Sequence, residues 1–425
     1  MKQGRQAVLF ISPSVPLEQG IGVERRAFQH LCALASRHDV HLMITGQPKP
    51  RAEAEETWRT LPASITVLGR GEPPDPQGHR LGSHLLWELH HPPIPHRLPA
   101  VPIPAAWPES LAATLVFRLK STPIWRELRR SGVATGRLVL DLDDLEALAL
   151  RRRIAAERDI LGREKALALR LRAARLARLQ REMVWRADAT LVCSREDRDR
   201  LIADRHDPAR IRIVANAPPE LEPLAPRRAS PGEPYRLLFI GALGYSPNID
   251  ALQWFVRDIW PQIRARDGRR VELEIVGYGA GADVRALGRT PGVRVTGEVA
   301  TVTPCYARAD MLVAPLRWGG GTRIKILEAF AIGRPVVATT RAAEGLPVAD
   351  GRELLIADRP DDFARAVSRL LDDEGLGARL IANGRELVAR MRGIPQARLL
   401  AAIRGEADPD GADAAGDRPA DGANG

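Results

Sequence analysis

The stretch LVAPLRWGGGTRIKILEAFAIGRPVVATT, residues 312–340, constrains the fold more than any other part of the chain. Met311–Leu316 is a short apolar run, Gly319–Gly321 interrupts it, and Thr322–Ile332 repeats apolar residues at helical spacing. That pattern predicts strand, glycine loop, helix. Thr322 is placed to cap the helix, Gly333 to end it in a left-handed turn, and Pro335 to forbid its continuation before the next apolar run, Pro335–Thr340. A glycine loop at the carboxyl end of a parallel strand leaves backbone N–H groups open to an anion, and the helix start adds the positive end of its dipole. Phosphate is the natural guest.

The rest of the chain repeats the theme. Apolar runs at Val8–Ser12, Val40–Thr45, Ile65–Leu68, Leu138–Leu142, Thr190–Cys193 and Ile211–Val214 predict one sheet. Runs at Leu237–Ile240, Leu273–Val276, Val293–Thr296, Met311–Leu316, Val336–Thr339 and Leu354–Ala357 predict a second. Most are continuous rather than alternating and are separated by helical patterns, which calls for buried parallel strands with helices on both faces. The expected fold class is α/β, with two doubly wound Rossmann-like domains: residues 1–216, then a linker at 217–234 containing six prolines, then residues 235–404. The acidic tail 405–425 is Gly, Ala, Asp and Pro with almost nothing apolar, a composition expected to stay disordered.

Composition narrows the class. A chain of 425 residues with 44% hydrophobic and 27% charged residues suits a soluble protein of two or three domains. No apolar run approaches the roughly 20 residues of a membrane span, so a cytoplasmic location is expected. Cys32, Cys193 and Cys305 show no CxxC spacing, which leaves buried thiols as the expectation. The net charge is +10, but the tail holds six acids and one arginine, leaving +15 on the remainder. Residues 1–216 are the more basic part, with 35 Lys and Arg against 25 acids. Such a field suits nucleic acid, an anionic membrane surface or a phosphorylated substrate, and charge alone does not choose among them.

At this point the chain resembles the retaining GT-B glycosyltransferases, the mannosyltransferase-like and glycogen-synthase-like enzymes of "glycosyl transferases group 1". The resemblance spans roughly residues 7–400. It rests on PLRWGGGTRIKILEAFAIGRPVVATTRAAEGL, with LFIGALGYSPNIDALQWF, LEIVGYG, VTGEV, TLVCSREDRDRL, IRIVANA and LVLDLDDLEA in supporting order. It implies two domains facing a cleft, a nucleotide diphosphate sugar held mainly by the second domain, and a glycan or lipid-linked acceptor on the first. The nucleotide sugar is a substrate, and neither cofactor nor metal is implied.

By the same resemblance Glu328 bonds the ribose hydroxyls, a task for an ionised carboxylate that accepts twice; a salt bridge to Lys325 would explain it without function. Arg323 and Lys325 would neutralise the departing diphosphate, where charge grows in the transition state. Gly319, Gly320, Gly321 and Thr322 line the donor loop, with Gly241 and Gly244 in the loop before Ser246 and Pro247. Two features depart from the pattern. The acidic residue expected eight positions before Glu328 is Gly320, and the usual Arg and Lys pair has no counterpart in GALGYSPNID, leaving Arg323 and Lys325 to substitute.

In the first half, Gly20 and Gly22 precede a helix beginning near Val23, in the loop that the resemblance turns toward donor phosphates and acceptor; no GxGxxG is present. Asp141, Asp143 and Asp144 close a strand, where ligands gather in open α/β sheets. They are placed to hold acceptor hydroxyls or assist deprotonation, and helix capping by Asp143 or Asp144 explains them as well. Arg118 is a further acceptor-side candidate. Five of nine histidines fall between His79 and His96 without His-Glu-x-x-His spacing, which favours a loop over the acceptor cleft rather than a metal centre. Arg151–Arg186 holds twelve Lys and Arg against four acids on a helical stretch. A solvated helix is the default there, with electrostatic contact to an anionic membrane at the inner face as the alternative. Two other functions stay open: a nucleotide-sugar epimerase of the same build, and a basic membrane- or nucleic-acid-binding protein with a degenerate sugar site.

Overall fold

In the computed structural model the described residues are 5–18, 22–46, 56–68, 94, 101–105, 107–158, 161–216, 218, 221–225, 227, 232–267, 271–320 and 324–409. The chain divides into two compact units. The first comprises Met1–Arg151, Asp159–Ala215 and Gly393–Gly425, and the second Arg152–Arg158 and Asn216–Arg392. The histidine-rich segment 79–96 lies outside the described residues apart from Ile94, as do residues 410–425 of the tail.

The first unit is built on seven strands, β1 (Ala7–Ser12), β2 (Asp39–Ile44), β3 (Ser64–Val67), β4 (Ala113–Phe117), β5 (Arg137–Asp141), β6 (Ala189–Val192) and β7 (Ile211–Ile213). They lie in the order β3-β2-β1-β4-β5-β6-β7 with every neighbouring pair parallel. Six fall on the expected runs. The central β4 does not: it is only five residues long and follows proline-rich text, yet all five are buried. Consecutive residues point to opposite faces. Val8, Phe10, Leu42 and Phe117 face the helix α1 (Gly22–Ala35), while Leu9, Ile11, Met43 and Val116 belong to the opposite core with Leu176, Met183 and Val184 of α2 (Arg163–Arg186). With both faces covered, the strands must be apolar throughout.

The C-terminal helix Ile394–Arg404 also belongs to this unit, so the expected boundary at residue 404 moves to Gly393. Gly393 takes a φ of 78° and separates that helix from the preceding one. Leu399, Ala402 and Ile403 then enter the core beside α1. Arg137 Nε donates to the Ala402 carbonyl at 3.0 Å and Arg398 to the Ile213 carbonyl at 3.0 Å. The backbone stays ordered past residue 404, where Arg212 donates to the Glu406 carbonyl, so the acidic segment is not disordered from its first residue.

The second unit holds β8 (Tyr235–Ile240), β9 (Val271–Val276), β10 (Val293–Gly297), β11 (Met311–Ala314), β12 (Val336–Ala338) and β13 (Leu355–Ile356), all on expected runs. Their order is β10-β9-β8-β11-β12-β13, again parallel throughout. Three helices matter for the site: α3 (Ser246–Trp254), α4 (Ile324–Ile332) and α5 (Glu374–Met391). The helix α4 ends as its sequence demands. Gly333 sits at φ 88°, and the amides of Gly333 and Arg334 both reach the Ala329 carbonyl at 2.8 Å. Pro335 follows, and β12 begins.

The described part of the Pro-rich segment is strapped to this unit rather than forming a free linker. Leu224 N donates to the Ile332 carbonyl at 2.9 Å, which satisfies an orphan acceptor at the end of α4. Arg385 donates to the Leu224 carbonyl at 3.0 Å, and the buried Arg334 to the Ala225 carbonyl at 2.9 Å and the Tyr306 carbonyl at 2.8 Å. Among the cysteines, Cys193 and Cys305 are buried as expected, whereas Cys32 is half-buried, with its thiol pushed up to about 11 by burial.

The helix α5 meets α4 at Gly384, where an added Cβ would come within 2.7 Å of the Phe330 ring, itself fully buried. Gly384→Val is therefore expected to destabilise the second unit by about 1–3 kcal/mol through overpacking, read as a lower urea midpoint. An unchanged midpoint would show that the two helices have slack between them.

Candidate functional site

In an open parallel sheet, ligands bind beyond the carboxyl ends of the strands where the strand order reverses. In the second unit that point lies between β8 and β11. The loop after β8 starts at Gly241, the loop after β9 at Gly277, and the loop after β11 runs from Pro315 into the donor-loop glycines. The first two loops touch through backbone. Gly241 N donates to the Val276 carbonyl at 3.1 Å and Leu243 N to the Tyr278 carbonyl at 2.8 Å. A Cβ at Gly277 would lie 1.7 Å from the Gly241 oxygen. Glycine is the only residue this crossing admits.

A Cβ at Gly241 would instead meet Asn248 Nδ2 at 2.8 Å and Lys325 Nζ at 3.0 Å. The bare position thus makes room for an amine. Lys325 lies over the Phe239 ring, with Nζ 4.3 Å from its centroid, and donates to Asn248 Oδ1 at 3.1 Å. Asn248 is buried and its Nδ2 donates to the Ala242 carbonyl at 2.9 Å, which fixes the amide orientation. Lys325 is the half-buried exception on α4, where Ile324, Ile326, Leu327 and Phe330 are all buried. One turn further on, Glu328 is buried among those apolar neighbours, and Tyr306 donates to its Oε2 at 3.2 Å. A carboxylate enclosed there is tolerated only when hydrogen-bonded.

The loop after β11 is held from both sides. Gly319 takes a φ of 119°, and its carbonyl accepts from Arg152 at 3.2 Å. Arg152 also donates to Glu344 at 2.6 Å, and Arg341 reaches the other oxygen of Glu344 at 2.6 Å. Gly320 is partly exposed, and Gly244 is exposed against the Gly279 backbone, 3.2 Å from the nearest would-be Cβ contact. Gly321, Thr322 and Arg323 lie outside the described residues. Tyr306, Asn248, Arg152 and Glu344 were not singled out from sequence: each acts through a partner 19 or more residues away, as with Tyr306 Oη and the Lys325 carbonyl, 3.1 Å apart.

In the first unit the order reverses between β1 and β4. Of the loop glycines, Gly20 lies outside the described residues and Gly22 is the exposed first residue of α1. Spaced four apart on that helix, Arg26 and His30 share a face and both reach Asp141 at the end of β5. Arg26 Nη2 is 2.8 Å, Arg26 Nε 3.0 Å and His30 Nε2 2.5 Å from Asp141 Oδ2. Oδ1 accepts the Asp143 amide at 2.8 Å. Asp141 is wholly buried. With no exposed surface and both oxygens engaged inside the fold, it organises α1 against β5 and does not hold acceptor hydroxyls. Because Asp141 is ionised, His30 Nε2 must carry the proton and donate it.

Asp143 and Arg118 are the members of this group that face outward in part. Asp143 has φ 56° and Arg118 φ 64°, left-handed values for non-glycine residues at the ends of adjacent strands. The Arg118 amide donates to the Asp141 carbonyl at 2.7 Å, and its Nε lies 3.5 Å from Asp143 Oδ2 and 3.7 Å from Glu146 Oε1. Backbone strain of this kind costs about 1–3 kcal/mol and collects at functional sites. Asp144 is partly exposed, its amide bonded to the Leu142 carbonyl at 2.5 Å.

Burial raises the Asp141 carboxyl, but the Arg26 charge and the His30 hydrogen bond outweigh it and hold the group below the usual carboxylate range. Burial lowers His30, more than its contact with Asp141 raises it. The same sign follows for both. A histidine kept neutral in the fold gains its proton on unfolding, so its contribution is complete above about pH 6.5 and declines below it. The Asp141 contribution persists to lower pH and is lost as the folded carboxyl titrates. Stability of the first unit is therefore expected to fall on acidification from about pH 6.5, less steeply in His30→Gln. Asp141→Ala, which strands Arg26 in the core, is expected to cost about 3–5 kcal/mol in a urea melt. A loss under 1 kcal/mol would mean that Arg26 finds water.

Comparison with known proteins agrees with this fold. Residues 234–373 match the family model for glycosyl transferases group 1. No curated sequence is significantly similar to the chain. Sucrose-phosphate synthase from Thermosynechococcus elongatus superposes with a TM-score of 0.62 at 16% identity, covering 91% of this chain and 95% of that one. Anabaena HepE in complex with UDP and glucose gives 0.58 at 13% identity, covering 94% and 97%. The lipopolysaccharide outer core galactosyltransferase WaaB gives 0.51 at 13% identity, covering 94% and 99%. The chain thus shares the two-domain GT-B fold of these structures, and its residues 234–373 match the group 1 glycosyl transferase model.

Proposed function

We propose that the protein transfers a hexose-like unit from a nucleotide diphosphate sugar to a glycan or lipid-linked acceptor, with retention at the anomeric carbon, in the making of a cell-surface polysaccharide. The observation that carries the reading is the pairing on α4 of the half-buried Lys325 amine, set between Phe239 and Asn248, with the buried Glu328 carboxylate three residues on. HepE, a protein of the same scaffold, has been seen with UDP and with UDP-glucose. The two groups suit opposite ends of a nucleoside diphosphate. Lys325 meets the phosphates, whose charge grows as the glycosidic bond breaks, and a cation already desolvated by Phe239 interacts with them more strongly than one in water. Glu328 accepts from the ribose hydroxyls. The backbone of Gly319 and Gly320 approaches the diphosphate, with Arg323 as a second cation. On the acceptor side, Asp143 and Asp144 bind or deprotonate the incoming hydroxyl, and Arg118 orients Asp143.

A panel of UDP-, GDP- and ADP-sugars tests the donor reading by thermal shift. A cognate donor at 100 times its dissociation constant is expected to add about 2.7 kcal/mol of stability, lost in Glu328→Ala and Lys325→Ala. No shift with any member, from a folded sample, overturns the reading. With the donor in hand, Lys325→Ala is expected to lower kcat by about 10²-fold or more, while Asp143→Asn lowers transfer and leaves the donor shift intact. If Asp143→Asn abolishes the donor shift instead, its placement on the acceptor side is wrong.

A further inference from the structure

One face of α2 plays no part in the chemistry above. The helix is 24 residues long, about 36 Å at 1.5 Å per residue. Leu176, Met183 and Val184 lie on its inner side against the first sheet. Its outer side exposes Arg163, Leu167, Arg170, Arg178, Arg181 and Trp185. At about 100° per residue these six fall within about 80° of the helix circumference. They form one straight stripe along the whole helix.

Two properties of the stripe are unusual for a merely solvated face. Leu167 is 49% exposed and Trp185 61%, so apolar groups stand in water within the row of cations, one toward each end. Arg163, Arg170, Arg178 and Arg181 have no carboxylate partner among the described residues. By contrast Arg186, off the stripe, pairs with Glu182 at 3.1 Å, a carboxylate that Arg126 also reaches at 2.9 Å. Helices that carry many arginines for solubility commonly neutralise them with acids at i,i+4. Here that pair falls off the stripe.

We propose that this stripe docks the first unit on an anionic lipid bilayer. A straight row lets a plane touch all its members at once. Unpaired arginines are drawn to an anionic surface, and an exposed tryptophan and leucine suit the headgroup boundary, where amphipathic rings settle. Among the described residues no helix is long and apolar enough to cross a membrane, so the contact is with the surface. Nucleic acid shares the phosphate charge, but surfaces that hold single strands interleave several aromatics for base stacking, and Trp185 is the one aromatic on this helix. The inference rests on the proposed lipid-facing acceptor for its purpose, while the contact itself is measured without nucleotide sugar.

The test is co-sedimentation of the full chain with vesicles of phosphatidylcholine alone and with about a third phosphatidylglycerol. Binding is expected to the anionic vesicles only and to fall with added salt. Arg170→Gln with Arg178→Gln should weaken it by about fivefold per arginine, and Trp185→Ala should weaken it further, whereas Arg264→Gln in the second unit should not. All these positions are exposed, and an unchanged thermal melt shows that each variant is folded. Equal binding to neutral vesicles, no binding to either, or a stripe variant that sediments like the parent each overturns the proposal, as does loss of binding to a DNA duplex with vesicle binding intact. A stripe variant that loses vesicles but keeps its nucleotide-sugar thermal shift separates failure of docking from failure of the donor site.

Discussion

A strand that runs parallel to its neighbour cannot be reached by a tight hairpin; the chain must cross back through a helix before the next strand begins. Both sheets here obey that constraint without exception among their recorded pairings. Every strand in a sheet then ends at the same edge, and every strand-to-helix loop gathers there. Where the order reverses, two of these loops diverge and leave a gap that no connection crosses. The glycines at Gly241, Gly277 and Gly319, the amine of Lys325 and the carboxylate of Glu328 are all consequences of that edge. Their spacing along the chain is wide, but their strands are neighbours.

The two units use charge differently at equivalent edges. In the second, Lys325 lies over the Phe239 ring and donates to the neutral Asn248 amide at the sheet's carboxyl edge. In the first, the charge is consumed internally. Arg26, Asp141 and His30 form a closed group under β1 and β4, with His30 edge-on to Phe117 at 5.8 Å between ring centroids. A buried ion pair of this kind adds little net stability over apolar packing, but it penalises any other arrangement of its partners heavily. Its effect is to set α1 on β5 and to hold Asp143 and Arg118 in conformations that neither would choose alone.

Much of this was legible from sequence and the rest has identifiable reasons for being hidden. Continuous apolar runs located twelve of thirteen strands because burial on both faces leaves no polar positions. The exception, β4, offers only five residues, and the text that precedes it is proline-rich. Gly333 and Pro335 ended α4 as read, since that stop is local backbone chemistry. The C-terminal helix was placed with the wrong sheet because its apolar stripe says that it packs and not on what. Asp141 looked like a surface ligand because a strand-end aspartate reads alike whether it meets solvent or an arginine from α1. Tyr306 and Asn248 carried no signal of their own; each matters only through a partner brought close by folding.

By itself the amino-acid sequence determined the class of fold and the positions of the glycine loops, because these follow from periodicity and backbone freedom within a few positions, while Lys325 and Glu328 became candidates through the family resemblance of the stretch that holds them. Only the tertiary structure decided that Asp141 faces inward, that Gly241 clears space for an amine, and that six scattered side chains of α2 form one line. Those outcomes depend on which distant surfaces meet, and a linear pattern records that a surface is apolar or charged without recording what it will be pressed against.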